Sequence, residues 1–197
     1  ERTRIEAFGL IQALLVLDDS EWDDLITIQA KLAGPGMNAK FLAMPIYPSF
    51  SQLLRTTDHN GRPAHFLARN EFYRAVRDAQ REDLVVPLVA NLAGNVALPR
   101  LADWLRSRGL MVSVVYVSDA EFFLLRTGLM DSYIANLERL PRNANALIIR
   151  SSTREIDHPE RIPGDSATTI LRPLSSFLQA YHAGKIQSPD DLFSVES

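Results

Sequence analysis

Cysteine is absent from the 197-residue sequence. Its absence excludes disulfides, thiolate zinc sites, iron–sulfur clusters and a cysteine nucleophile. Because a chain without cysteine suits oxidising and reducing compartments equally, the cytoplasm and the periplasm both stay open. The four histidines, at positions 59, 65, 158 and 182, do not share a spacing that would converge on a metal ion, so we predict no metal site.

The sequence also lacks an excess of positive charge, since 21 Lys and Arg residues face 24 Asp and Glu residues, for a net charge of −3. Nucleic-acid binding draws most of its free energy from cations that neutralise phosphates, so we expect no nucleic-acid partner. The longest apolar run, at residues 5–17, is shorter than the ~20 residues of a membrane-spanning helix and has no signal-peptide cleavage pattern. We therefore interpret it as a buried core segment and expect no membrane partner.

The motifs of several enzyme classes are missing as well. There is no nucleophile elbow, and no glycine-rich loop leads into Lys and Ser or Thr to hold a phosphate. A dinucleotide fingerprint needs spaced glycines between a strand and a helix, whereas Gly34 and Gly36 follow a predicted helix. No motif in the sequence is sufficient by itself to assign a reaction.

What the sequence does contain is the composition of an ordinary globular domain, with 46% hydrophobic and 23% charged residues. We predict a single α/β domain over residues 1–197. It would have a helical and irregular N-terminal part at 1–69, a βαβαβ core at 70–183 and a C-terminal tail at 184–197. Because the sequence begins at Glu1 without an initiating methionine, we expect it to be a fragment of a longer protein.

Helical spacing of apolar residues recurs along most of the chain. Ser20 and Asp23 have the form of a capping box at the start of a helix that would bury an apolar face. Pro173 would start or kink the last helix. The residues expected on the buried face of the first helix are Trp22, Leu25, Ile26 and Leu32. The predicted helices cover residues 21–33, 49–57, 70–81 and 96–108, one or two helices within 122–140, and 168–183.

Three apolar runs of strand length alternate with these helices, at residues 84–90, 111–117 and 146–149. Pro87 cannot donate a hydrogen bond to a sheet, so it favours an edge or a bulge for the first run. An order of strand, helix, strand, helix, strand is typical of parallel βαβ units. The sequence therefore predicts a Rossmann-like, open and mostly parallel sheet with helices on both faces.

Polar residues follow each predicted strand. Since the carboxyl ends of parallel strands lie at one edge of the sheet, these side chains would line one crevice. Asp119 and Glu121 are the candidate catalytic carboxylates, and Arg150 could hold a small anionic molecule. The candidate ligand-binding residues are Asn91, Asn95, Ser118, Arg150 and Ser151.

A purely structural interpretation of the same residues is also open. Asn and Gly form turns, and Ser118 or Asp119 could cap the following helix. Arg150 could pair with Asp119 or Glu121 and hold the fold together. A substitution of Arg150 would distinguish the two interpretations.

Four segments resemble a bacterial family of uncharacterised proteins with a class I S-adenosylmethionine-dependent methyltransferase-like fold. They are Tyr47-Pro48-Ser49-Phe50 with Leu53-Leu54, Asp83-Leu84-Val85-Val86-Pro87-Leu88, Tyr116-Val117-Ser118-Asp119-Ala120-Glu121-Phe122, and Leu147-Ile148-Ile149-Arg150-Ser151. The order and spacing of these segments carry the resemblance, and residues 163–173 match more loosely.

The resemblance implies that the chain is the C-terminal, substrate-side half of a methyltransferase-like protein. S-adenosylmethionine would bind only with a missing N-terminal half, because no glycine-rich cofactor turn is present. The alternative is a non-catalytic binding or assembly module, whose exposed apolar surface would contact that half or another copy of the chain.

Overall fold

The structure is a computed structural model, and it describes residues 9, 16–40, 47–58, 60–63, 65–153, 156–165 and 167–194. The chain forms two compact units, Glu1–Leu84 and Val85–Ser197, which we describe separately. The single-domain organisation stays a prediction. Of the apolar run at 5–17, the structure describes only Gly9, Val16 and Leu17. Gly9 and Val16 are exposed, against the predicted burial, and the rest of the run lies outside the described residues.

The first unit is helical. Helix α1 (Asp19–Ala33) begins with a capping box in which the Asp18 carboxylate accepts from the Glu21 N–H and the Glu21 carboxylate accepts from the Asp18 N–H, both at 2.9 Å. This box lies two residues before the predicted one at Ser20 and Asp23. No residue of α1 is buried. The predicted burial of its apolar face is therefore wrong.

Two further helices of this unit lie where helices were predicted, although the first is shorter than the predicted 49–57. Helix α2 (Phe50–Leu53) begins with a Ser49 and Gln52 capping box, and helix α3 covers Asn70–Arg81 as predicted.

Among the described residues, no helix of the chain is both long and apolar enough to cross a membrane.

The predicted first strand at residues 84–90 is wrong, because these residues form no ladder and all of them are exposed. Leu84 keeps 69% and Val86 keeps 71% of its surface accessible. Pro87 lacks the N–H that a ladder needs, and the run enters from Asp83, which has a left-handed φ of 53°. Apolar composition alone did not make this segment a strand.

The remaining elements of the second unit follow in close succession. Gly109, Gly128 and Gly184 each end a helix with positive φ, of 64°, 68° and 71°. The break at Gly128 divides the predicted 122–140 helical region into two helices. The elements are α4 (Ala97–Ser107), β1 (Val112–Ser118), α5 (Ala120–Arg126), α6 (Met130–Arg139), β2 (Arg142–Ser152), β3 (Thr168–Pro173) and α7 (Leu174–His182), with a final 3₁₀ turn at Asp191–Phe193.

The helix predicted over 168–183 is a strand followed by a helix. Thr168, Thr169 and Ile170 are β-branched and favour the extended conformation. Pro173 ends the strand because it has no N–H, and α7 starts at the next residue.

The sheet has three strands in the order β1–β2–β3, with β1 and β2 parallel and β2 and β3 antiparallel. The predicted Rossmann-like, mostly parallel sheet is therefore wrong. Two differences account for the change: the run at 84–90 supplies no strand, and β3 returns antiparallel to β2 from within a predicted helix.

The two faces of this sheet differ in burial. On the covered face, Ala146, Ile148 and Arg150 of β2 are buried and pack against the helices. We call the opposite side the bare face. The strand register places a set of apolar side chains together on it. Among them, Val114, Tyr116 and Leu171 keep about half or more of their surface exposed. Helices on both faces were predicted, whereas the described residues of this unit cover one. The bare face consists of Val114, Tyr116, Leu147, Ile149 and Leu171.

Candidate functional site

A cavity of about 230 Å³ lies where the parallel pair β1 and β2 ends. Ser118, the last residue of β1, lies opposite Arg150 of β2 in the ladder. Helix α5 begins two residues after Ser118, so it brings Asp119 and Glu121 to the same place. The lining residues are Ser118, Asp119, Glu121, Phe122, Phe123, Arg150, Ser152, Thr153, Ile156, Pro189, Asp190, Leu192 and Phe193.

Arg150 and Glu121 form a buried ion pair at the cavity. The Arg150 Nη2 donates to Glu121 Oε1 at 3.0 Å, and Nε donates to Oε2, so the contact is bidentate. Each side chain keeps 1% of its surface exposed. A buried carboxylate and guanidinium are tolerated only when each neutralises the other, which this geometry achieves. Of the two partners that the sequence left open for Arg150, Glu121 is the one used.

Two aromatic residues surround this pair. The Arg150 guanidinium lies 4.0 Å from the centre of the Phe177 ring in α7, a cation–π contact. The Tyr133 hydroxyl of α6 lies near Glu121 but makes no hydrogen bond of ordinary geometry with a described residue. Burial, and then the negative charge of Glu121, raise the pKa of Tyr133, which keeps its phenol neutral. The pair is thus enclosed by three helices.

Ser118 and Asp119 connect β1 to α5 through an unusual backbone. Ser118 has a φ of 52°, a left-handed conformation that is uncommon outside glycine and is frequent at functional sites. Asp119 occupies the N-cap position of α5, yet its side chain makes no capping hydrogen bond. Its carboxylate makes no hydrogen bond or ion pair with a described residue and stays exposed at the cavity.

The last turn of the described chain forms one wall of the cavity. Asp191 Oδ2 accepts hydrogen bonds from the Gln187 N–H at 2.9 Å, the Ser188 N–H at 2.7 Å and the Ser188 hydroxyl at 2.9 Å. These donors, with the Gln187 N–H foremost, lower the pKa of Asp191. The closed loop holds Leu192 buried against the core and places Phe193 at the cavity.

Four of the seven predicted site residues meet at this cavity: Ser118, Asp119, Glu121 and Arg150. The other three do not line it. The Asn91 carboxamide accepts from the Ala93 N–H at 3.0 Å and thereby shapes a turn, as the structural interpretation predicted. Asn95 is exposed, and the Ser151 hydroxyl lies 2.9 Å from that of Thr169 on β3.

Sequence reasoning missed residues whose roles depend on contacts distant in sequence. Asn136 of α6 is buried and donates its amide to the Leu92 and Gly94 carbonyls, at 2.9 Å and 2.7 Å. Phe177 and the wall at Asp191 were also missed. The sequence signal for Asn136 was an Asn on the otherwise apolar face of a predicted helix, because an amide buried there needs hydrogen-bond partners.

The described residues contain no group of three His, Asp or Glu side chains that could hold a metal ion, while His59 lies outside them. The family model called "Domain of unknown function (DUF7790)" matches residues 36–192, a span that includes the whole cavity except Phe193. This match shows neither a methyltransferase family nor a bacterial origin. No curated protein matches the chain.

Proposed function

The chain belongs to the DUF7790 family of domains of unknown function. Because that description names no activity, we propose a function from the cavity alone, that of a non-catalytic binding module. Its second compact unit would hold a small amine in the cavity at the ends of β1 and β2. The observation that carries the proposal is the unpaired Asp119 carboxylate at the cavity, beside a closed Arg150–Glu121 pair.

The charge of the cavity favours a cation over an anion. Among its described lining residues, the Asp119 carboxylate makes no ion pair, and Arg150 carries the one guanidinium. Since Arg150 is already neutralised by Glu121, it is poorly placed to hold the small anionic molecule that the sequence suggested. A protonated amine would gain from Asp119, because this carboxylate makes no ion pair with a described residue and attracts an opposite charge at contact distance, although its exposure keeps the gain small.

The apolar part of the wall suits the same class of ligand. Phe123 and Phe193 line the cavity, and the faces of aromatic rings attract ammonium groups. Phe122 also lines it, but its ring already contacts the Arg126 guanidinium at 5.3 Å. The volume of about 230 Å³ lies just below the ~300–1,000 Å³ of pockets that take drug-sized ligands. We therefore infer a small aliphatic or aromatic amine as the class of ligand.

Binding without chemistry is favoured by the state of the candidate catalytic groups. Glu121, one of the two candidate catalytic carboxylates, keeps 1% of its surface exposed and is held by Arg150. Ser118 would need a neighbouring base to act as a nucleophile. No hydrogen bond joins its hydroxyl to a described residue, and the described lining contains no histidine.

Calorimetric titration of the full chain with n-pentylamine and with butyrate, which have similar size and opposite charge, tests the proposal. The amine should bind and butyrate should not. Asp119→Asn should weaken amine binding by about two- to fivefold, because it removes one charge–charge contact at an exposed carboxylate. Asp103→Asn makes the same change in α4, outside the cavity, and should leave binding unchanged. Preferential binding of butyrate, or equal amine binding by Asp119→Asn, would contradict the proposal.

A further inference from the structure

The β1 strand has an open edge. Within the described part of the chain, β1 pairs with β2 on one side and forms no ladder on the other. Its sequence from Val112 to Ser118 contains no charged residue, no proline and no glycine. An edge of this length with no charge or proline is a ready template for a further strand.

The other edge of the sheet is protected. The β3 strand is shorter, carries Arg172 and ends at Pro173. Charged side chains and proline are the devices by which proteins prevent pairing at exposed edges. The contrast indicates that β1, unlike β3, has kept an edge suited to pairing.

The side chains of β1 are uncharged, and those that it places on the bare face are Val114 and Tyr116. Val114 keeps 49% and Tyr116 keeps 64% of its surface exposed on the bare face. A strongly acidic or basic partner would find no complementary charge on β1. A second copy of the same strand would meet neither repulsion nor an unpaired charge, so the edge is complementary to itself.

We propose that two copies of this chain associate through their β1 edges about a two-fold axis. The three-stranded sheets of the two copies then form one continuous sheet. A two-fold axis pairs a strand with its copy in antiparallel fashion. With the axis at Val115, Val114 of each copy lies opposite Tyr116 of the other on the bare face. A β-branched residue opposite an aromatic one is a favourable cross-strand pair.

This pairing can be tested by charge exchange. Sedimentation equilibrium of the full chain over a concentration series should show a dimer. A variant with Val114→Lys and Tyr116→Lys places like charges opposite each other twice, and its dimer should be weaker by about a hundredfold or more. A variant with Val114→Glu and Tyr116→Glu should behave in the same way. An equal mixture of the two variants should dimerise again.

Leu171→Lys is the matched control, since Leu171 lies on the bare face but on β3, away from the β1 edge. It should leave the dimer intact. A monomeric parent chain would overturn the proposal and would mean that the edge is unpaired or is covered within one chain. Loss of the dimer in Leu171→Lys would also overturn it. So would a mixture of the Lys and Glu variants that does not dimerise although the circular dichroism of each variant matches that of the parent chain.

Amide hydrogen exchange of the unmodified chain gives a measurement that needs no variant. Half of the β1 amides point away from β2 in a parallel pair. Their exchange should slow as the protein concentration rises through the dimerisation range. Exchange that is independent of concentration would contradict the pairing.

Discussion

Arg150 and Glu121 are joined by two hydrogen bonds at a position where each side chain keeps 1% of its surface exposed. The contact connects the middle strand of the sheet to the first turn of α5. Because α5 follows β1 directly, the pair joins β1 and β2 a second time, beside the ladder between them.

Arg150→Ala should lower the free energy of unfolding by about 3–5 kcal/mol, because it leaves Glu121 charged, buried and unpaired. The double variant Arg150→Met with Glu121→Leu removes both charges and should recover most of that loss. Urea denaturation of the parent chain and the two variants measures the effect. A loss of less than about 1 kcal/mol for Arg150→Ala would show that the pair is not structural.

Asn136→Ala should cost about 1–3 kcal/mol, because the Leu92 and Gly94 carbonyls lose the amide that satisfies them. Asn145→Ala is the matched control, since Asn145 is exposed, and it should stay within about 0.5 kcal/mol of the parent. Urea denaturation compares the two. Equal stability of both variants would mean that Asn136 does not hold the turn at Leu92 and Gly94.

Acid should open the loop that Asp191 closes. The folded-state pKa of Asp191 is lowered from its ordinary 3.8, so its carboxylate contributes stability above that pH. The contribution is lost as the pH falls through the lowered value. The stability difference between the parent and Asp191→Asn should therefore be present at neutral pH and shrink below about pH 4. Denaturation at several pH values measures it, and a difference that is constant with pH would exclude this role.

Local chemistry made several parts of the fold predictable. Ser49 and Gln52 mark the start of a helix, Gly109 and Gly128 mark helix ends, and the β-branched run before Ser118 forms a strand. The meeting of Ser118, Asp119, Glu121 and Arg150 was also predictable, because β1 and β2 are parallel and end at the same edge.

The failures came where tertiary contacts decide between two local conformations. Residues 84–90 are as apolar as β1, yet no neighbouring strand pairs with them among the described residues. Residues 168–173 have apolar spacing that fits a helix, but pairing with β2 makes them a strand. A short window of sequence does not show whether a neighbouring strand will be present to pair with it.

The Arg150–Glu121 pair also constrains how this sequence can change over evolutionary time. A mutation at either position alone leaves the other residue as an unpaired buried charge. An apolar double replacement made by single mutations has to pass through such an intermediate. Drift is therefore blocked at two positions that are 29 residues apart in the chain. Descendant sequences that lack the pair would have to replace both residues within a short interval, so that each change compensates for the other.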